Sequence, residues 1–132
     1  MCKCSGTCGC NITSTTKGEK GDVSSSASLG YKVYTILLTQ AGNSDPVATI
    51  LQNTLSGVPV WTRNGVGDYT VTLAGVFTVN KTWLSSCGIS GATNKLGQLY
   101  YDGVNTIGML TFSGIASDDI LSNTSVEIRV YP

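Results

Sequence analysis

Four cysteines stand close together at the start of the chain, Cys2, Cys4, Cys8 and Cys10, in a C-x-C-x3-C-x-C pattern. Four thiolates so spaced can surround a zinc ion tetrahedrally, with Gly6 and Gly9 allowing the tight turns between them. Structural zinc sites nevertheless favour gaps of about two to four residues within a Cys pair, and C-x-C is tighter. The alternative is a set of thiols that stay reduced in a cytosol, or that cross-link neighbouring chains once they reach an oxidising medium. We expect no metal at these positions and no cofactor. A second candidate chemistry is a carboxylate pair, because Asp102, Asp118, Asp119 and Glu127 could meet across a groove and hydrolyse a glycosidic bond. Adjacent acids in a polar turn, such as Asp118 and Asp119, are more commonly solvated surface. The chain contains no His, which removes Ser-His-Asp and Cys-His catalysis within one chain and the commonest zinc ligand. The expectation is a protein that is not an enzyme.

The elements that position these residues follow from composition and pattern. The 132 residues amount to about one domain. Eight basic residues balance eight acidic ones, and charged residues are only 12% of the chain. Binding to nucleic acid or to an anionic membrane surface needs a basic excess, so neither is expected as a partner. No run of about eighteen apolar residues could span a bilayer. Residues 1–20 lack the apolar stretch of a secretory signal, so synthesis and assembly in a cytoplasm are expected. Sixteen Gly, abundant Ser and Thr, and 41% apolar residues favour strands over helices.

Residues 1–28 differ in kind from the rest. They hold four of the five Cys and a single aliphatic residue before Val23, namely Ile12, so they cannot bury a core of their own. We read them as an extended anchoring arm. Within it, Gly18 and Gly21 bracket charged residues in the Gly-X-Y manner of collagen, where only Gly fits the axis of three polyproline-like chains. Two triplets between other threefold contacts could form a short trimer neck. On spacing alone, a polar Gly-rich linker is the favoured reading of the segment.

Residues 29–132 read as an all-β body, an antiparallel β-sandwich or jelly-roll-like fold. Alternation with a period of two marks strands over residues 31–39, 47–53, 60–63, 69–73, 76–79, 82–87, 98–101, 106–113 and 125–131. The expected core comprises Ile36, Leu38, Ile50, Leu51, Val60, Trp61, Val71, Leu73, Phe77, Leu99, Ile107, Leu110, Phe112, Ile128 and Val130. Cys87 reads as a buried strand thiol. The body has few Lys or Pro residues to guard its edge strands, and neighbouring chains would cover them in a trimer. Trp83 and the pair Tyr100–Tyr101 are candidates for such an interface. Polar turns beside tyrosines, at residues 64–68, 91–95 and 102–105, suggest glycan-contacting loops with Asn64, Asp68, Tyr69 and Asp102 as their candidate ligands.

Residues 31–40, 45–49 and 51–55, together with Trp61, Gly65–Gly67, residues 69–73 and 80–82 and the closing stretch 118–131, resemble a β module of fibre proteins from tailed phages of Bacteroidota, including crAss-like phages. The resemblance covers about residues 31–132. It implies a homotrimer on the virion, docked through residues 1–28 to other virion proteins, with the β body pointing outward. The short chain and the absence of a long shaft suit a head fibre decorating the capsid, where the body would bind host-surface or mucosal glycans. The alternatives are a short tail fibre that recognises the host and a polysaccharide-degrading carboxylate hydrolase.

Overall fold

The computed structural model describes residues 30–86 and 95–132. Cys2, Cys4, Cys8, Cys10, Gly18, Gly21, Cys87 and residues 91–94 of one expected ligand loop lie outside the described residues, and so does the arm, residues 1–28. The body contains β1 (Lys32–Thr39), β2 (Val47–Asn53), β3 (Val60–Gly65), β4 (Asp68–Thr72), β5 (Thr82–Ser86), β6 (Lys95–Gly103), β7 (Thr106–Ser113), β8 (Ile115–Ala116) and β9 (Thr124–Val130). All pairings are antiparallel. One sheet has the order β2-β1-β9-β5 and the other β3-β4-β7-β6, with the short β8 added beside β7. No helix occurs among the described residues. The all-β, antiparallel, two-sheet expectation is therefore met.

The sheets face each other across one core because alternate side chains of each strand point inward. From the first sheet come Tyr34, Ile36 and Leu38 of β1 and Val126, Ile128 and Val130 of β9. The second contributes Trp61, Tyr69, Val71, Ile107 and Met109. The chain crosses between the sheets four times, after β2, β4, β5 and β8. These crossings sort the loops into two poles. One holds the two ends of the body, where Lys32 pairs with Val130, and the connections β2–β3, β4–β5 and β6–β7. The other holds the loop β1–β2, the hairpin β3–β4 and the segment between β8 and β9.

Several expectations need correction. Residues 76–79 are not a strand. They form part of the β4–β5 connection, pinned by Phe77 N–H to the Val104 carbonyl (2.9 Å) and by the Tyr101 hydroxyl to the Phe77 carbonyl (3.0 Å). Phe77 is nonetheless fully buried, so the apolar signal came from a single plug and not from a strand face. Ile50 lies on the core side of β2, opposite Ile36, but β2 is an edge strand and leaves it 44% exposed. Leu51 occupies a bulge between the pairs Thr35–Gln52 and Ile36–Ile50 and is also exposed. Val60 faces outward, since its neighbour Trp61 takes the inward position opposite Val71. Along β7 the inward side chains are Ile107, Met109 and Thr111, which leaves Leu110 and Phe112 half-buried on the outer face. A threonine can occupy that core position because its hydroxyl donates to the Ser117 carbonyl at 2.6 Å. Leu73 and Leu99 pack at the core margin. β8 and the first residues of β6 had no separate sequence signal.

Tyr100 also has a local cause. It lies opposite Gly108 on the outer face of the second sheet, and a Cβ on Gly108 would come within 2.0 Å of its ring. The ring fills the space the missing side chain leaves.

Phe77 and Val79 share one non-strand segment but differ in burial, 0% against 59% exposed. Phe77→Ala is expected to cost about 3–5 kcal/mol in chemical denaturation, and Val79→Ala to stay within about 0.5 kcal/mol. Equal losses would contradict the plug role.

Candidate functional site

At the pole that holds the chain ends, the outer face of the first sheet carries an aromatic cluster. Parity places it there. Ile128 and Val130 point into the core, so Glu127, Arg129 and Tyr131 point out, and Trp83 lies opposite Arg129 on β5. The Arg129 guanidinium sits over the Trp83 ring at 4.5 Å and over the Tyr31 ring at 4.9 Å. Tyr31 and Tyr131 complete the cluster with ring centroids 5.2 Å apart. The Arg129 Nε donates to Glu127 Oε1, and this carboxylate, more than the neighbouring Tyr131, holds the guanidinium protonated above its ordinary range.

Trp83 and Tyr131 wall a groove of about 290 Å³ whose other lining residues are Asn80, Lys81 and Thr82. Its shape is fixed by backbone bonds. The Tyr131 N–H donates to the Lys81 carbonyl at 2.9 Å, the Lys81 N–H to the Thr78 carbonyl at 3.1 Å and the Thr82 hydroxyl to the same carbonyl at 2.9 Å. Asn80 turns the chain with φ of 62°, a left-handed conformation that Asn tolerates better than most residues. Around the Tyr131 side lies a larger cavity of about 540 Å³, lined by Tyr31, Lys32, Ser56, Val76, Thr78 and Pro132 among others. That volume is within the usual range for small-molecule sites.

The opposite pole is built differently, around Asp118. Its Oδ2 accepts from Arg63 Nε (3.0 Å) and Nη2 (2.6 Å), and its Oδ1 from the Gly67 N–H (2.9 Å) and the Tyr69 hydroxyl (2.9 Å). Two guanidinium donors converging on one carboxylate oxygen make this a charge-assisted pair. Gly67 has φ of 64°, and a Cβ there would lie 2.5 Å from the Thr111 carbonyl oxygen, so only glycine fits. Beside it, the buried Gln40 accepts from the Asp119 N–H and donates to the carbonyls of Gly42 and Ser44 (3.1 Å to the latter). Asp119 Oδ1 in turn accepts the Gly42 N–H at 3.0 Å. Three loops are thereby locked to one another.

The sequence candidates do not converge. Asn64 is exposed and donates to Thr70 Oγ1 in its own hairpin. Asp68 is half-buried at the start of β4. Tyr69 is wholly buried, so it is a core residue and offers no face to a ligand. Asp102 lies at the other pole, where its carboxylate accepts from Thr106 Oγ1 at 3.1 Å. The four carboxylates weighed for hydrolysis have structural partners: Arg63 for Asp118, Gly42 for Asp119, Arg129 for Glu127 and Thr106 for Asp102. Among the described residues no group of three or more His, Cys, Asp or Glu is placed to hold a metal ion. Sequence reasoning singled out Trp83 only as an interface aromatic and missed Tyr31, Arg129 and Tyr131. The outward parity of Trp83, Arg129 and Tyr131 on neighbouring strands was the available signal, but it needed the β5–β9 pairing. No known family model, curated protein or solved structure matches the chain.

Arg63 first, then the Gly67 N–H and the Tyr69 hydroxyl, hold the Asp118 carboxyl down at about 2 against an ordinary 3.8. The stabilisation is complete above the unfolded value and is lost as pH falls through about 2. Burial, reinforced by the acceptor Asp118, pushes the Tyr69 phenol up to about 12 from 10.0, so its contribution is lost as pH rises between those values. Denaturation midpoints are expected to fall between about pH 4 and pH 2 in the native protein, with a flatter acid limb in Asp118→Asn. An unchanged acid limb in that variant would remove Asp118 from this role.

Proposed function

We propose that the chain is a structural virion protein, a homotrimeric phage head fibre whose β-sandwich body is displayed outward and whose residues 1–28 dock it to the particle. The observation that carries this reading is the uneven treatment of the two sides of the sandwich. On one side β5 and β6 approach, and the Ser86 hydroxyl donates to the Gly97 carbonyl at 3.1 Å. On the other, β2, β3 and the connection between them leave Val47, Ile50, Leu51, Val58 and Val60 between 44% and 69% exposed. These strands carry no Lys and no Pro to discourage pairing. An edge of this kind invites aggregation unless another copy covers it.

The collagen-like spacing of Gly18 and Gly21 supplies the number of copies, since that geometry needs three chains. Three β2/β3 edges meeting near a common axis would give each a neighbour and satisfy the same threefold symmetry. The resemblance of residues 31–132 to fibre modules supports placement on a virion. The structural partners of Asp102, Asp118, Asp119 and Glu127 favour a binding role over hydrolysis.

Sedimentation of the full chain is expected to give a single trimeric species. Leu51→Glu combined with Val60→Glu, both exposed, should shift it to monomer with the fold retained, whereas Gly18→Ala with Gly21→Ala should loosen it only slightly. Antibody labelling of purified particles should decorate the capsid. A monomeric native chain absent from particles would overturn the proposal, and label confined to the tail would replace the head fibre with a short tail fibre.

A further inference from the structure

We propose that the groove between Trp83 and Tyr131 is a saccharide site that takes a pyranose ring. Trp83, on the edge strand β5, is 44% exposed and Tyr131, just past the end of β9, 40% exposed, and the two line one aromatic surface on the outside of the first sheet. Arg129 covers part of the indole and is itself braced by Tyr31 and Glu127, so the aromatic planes are set before any ligand arrives. The apolar C–H face of a pyranose matches such a plane. Its ring hydroxyls match the mixed donors and acceptors of the Asn80, Lys81 and Thr82 lining, with the Arg129 guanidinium on the adjoining Trp83 ring. A nucleobase could stack on the same aromatics, but the chain has no net positive charge to hold a phosphate backbone.

The inference does not depend on the virion reading, because the site lies within one chain. It is compatible with that reading, since β5 and β2 are opposite edges of the same sheet and contact along β2 leaves the groove open.

Trp61 is buried and Trp83 exposed, so Trp61→Phe leaves an indole emission that reports the groove. The full chain carrying that change would be titrated separately with bacterial capsular polysaccharide, with mucin glycans and with a thymidine oligonucleotide. A saturable change in emission is expected with at least one saccharide, and which one responds identifies the source. Competition against a labelled form of that saccharide should show binding weakened at least about tenfold by Trp83→Ala and by Tyr131→Ala. Asn64→Ala and Asp102→Ala should leave it unchanged. Tyr131 lies beyond the last strand, so its truncation tests the site even if Trp83→Ala disturbs β5. No response to either saccharide, full affinity in Tyr131→Ala, or a response to the oligonucleotide alone would overturn the proposal.

Discussion

The carboxylate of Asp118 sets the constraint from which much of this fold follows. A sandwich whose chain crosses between sheets four times has to hold its connections in place at both poles. At one pole the crossing from β8 to β9 is held through two neighbouring acidic residues. Asp118 receives the Arg63 guanidinium, the Gly67 amide and the Tyr69 phenol, all from the β3–β4 hairpin. The next residue, Asp119, is bound to Gln40 and Gly42 on the other sheet. Two neighbouring residues thus tie both sheets together, and apolar packing then has a fixed frame to fill. The pair is mostly withdrawn from solvent and its lone pairs are used, which is the condition under which an ion pair of this kind adds order and not merely desolvation cost.

Asp118 and Asp119, which as a sequence read either as solvated turn residues or as a hydrolytic pair, both have structural partners here, Asp118 half-buried and Asp119 exposed in the turn. Tyr69 follows the same logic. It was legible as an aromatic beside a polar turn, but its ring is core and its hydroxyl serves Asp118. Thr111 is a further instance: a polar residue sits in the core because the backbone of Ser117 meets it, and that parity pushes Leu110 and Phe112 outward.

Strand existence was legible because β-branched and aromatic residues alternate with polar ones through β1, β7 and β9, and the turns around residues 41–46 and 64–67 are marked by Gly, Asn, Asp and Pro. Which strands would be edges was not legible. Ile50, Leu51 and Val60 have the hydropathy of core residues, and only the strand order shows that β2 and β3 have a neighbour on one side alone. The aromatic groove was hidden for a related reason. Tyr31, Trp83 and Arg129–Tyr131 are far apart in sequence, and they meet because β9 lies between β1 and β5. Periodicity assigns a residue to a face, whereas long-range register decides which residues share it.

The pairing of Lys32 with Val130, and the stacking of Tyr31 on Tyr131 just beyond it, bring the two ends of the body side by side. A unit entered and left through the same doorway can be spliced into a host polypeptide at one surface turn without stretching either structure. The same adjacency makes the body a natural candidate for circular permutation, with new ends cut into an exposed turn of the far pole away from Gln40 and Asp118.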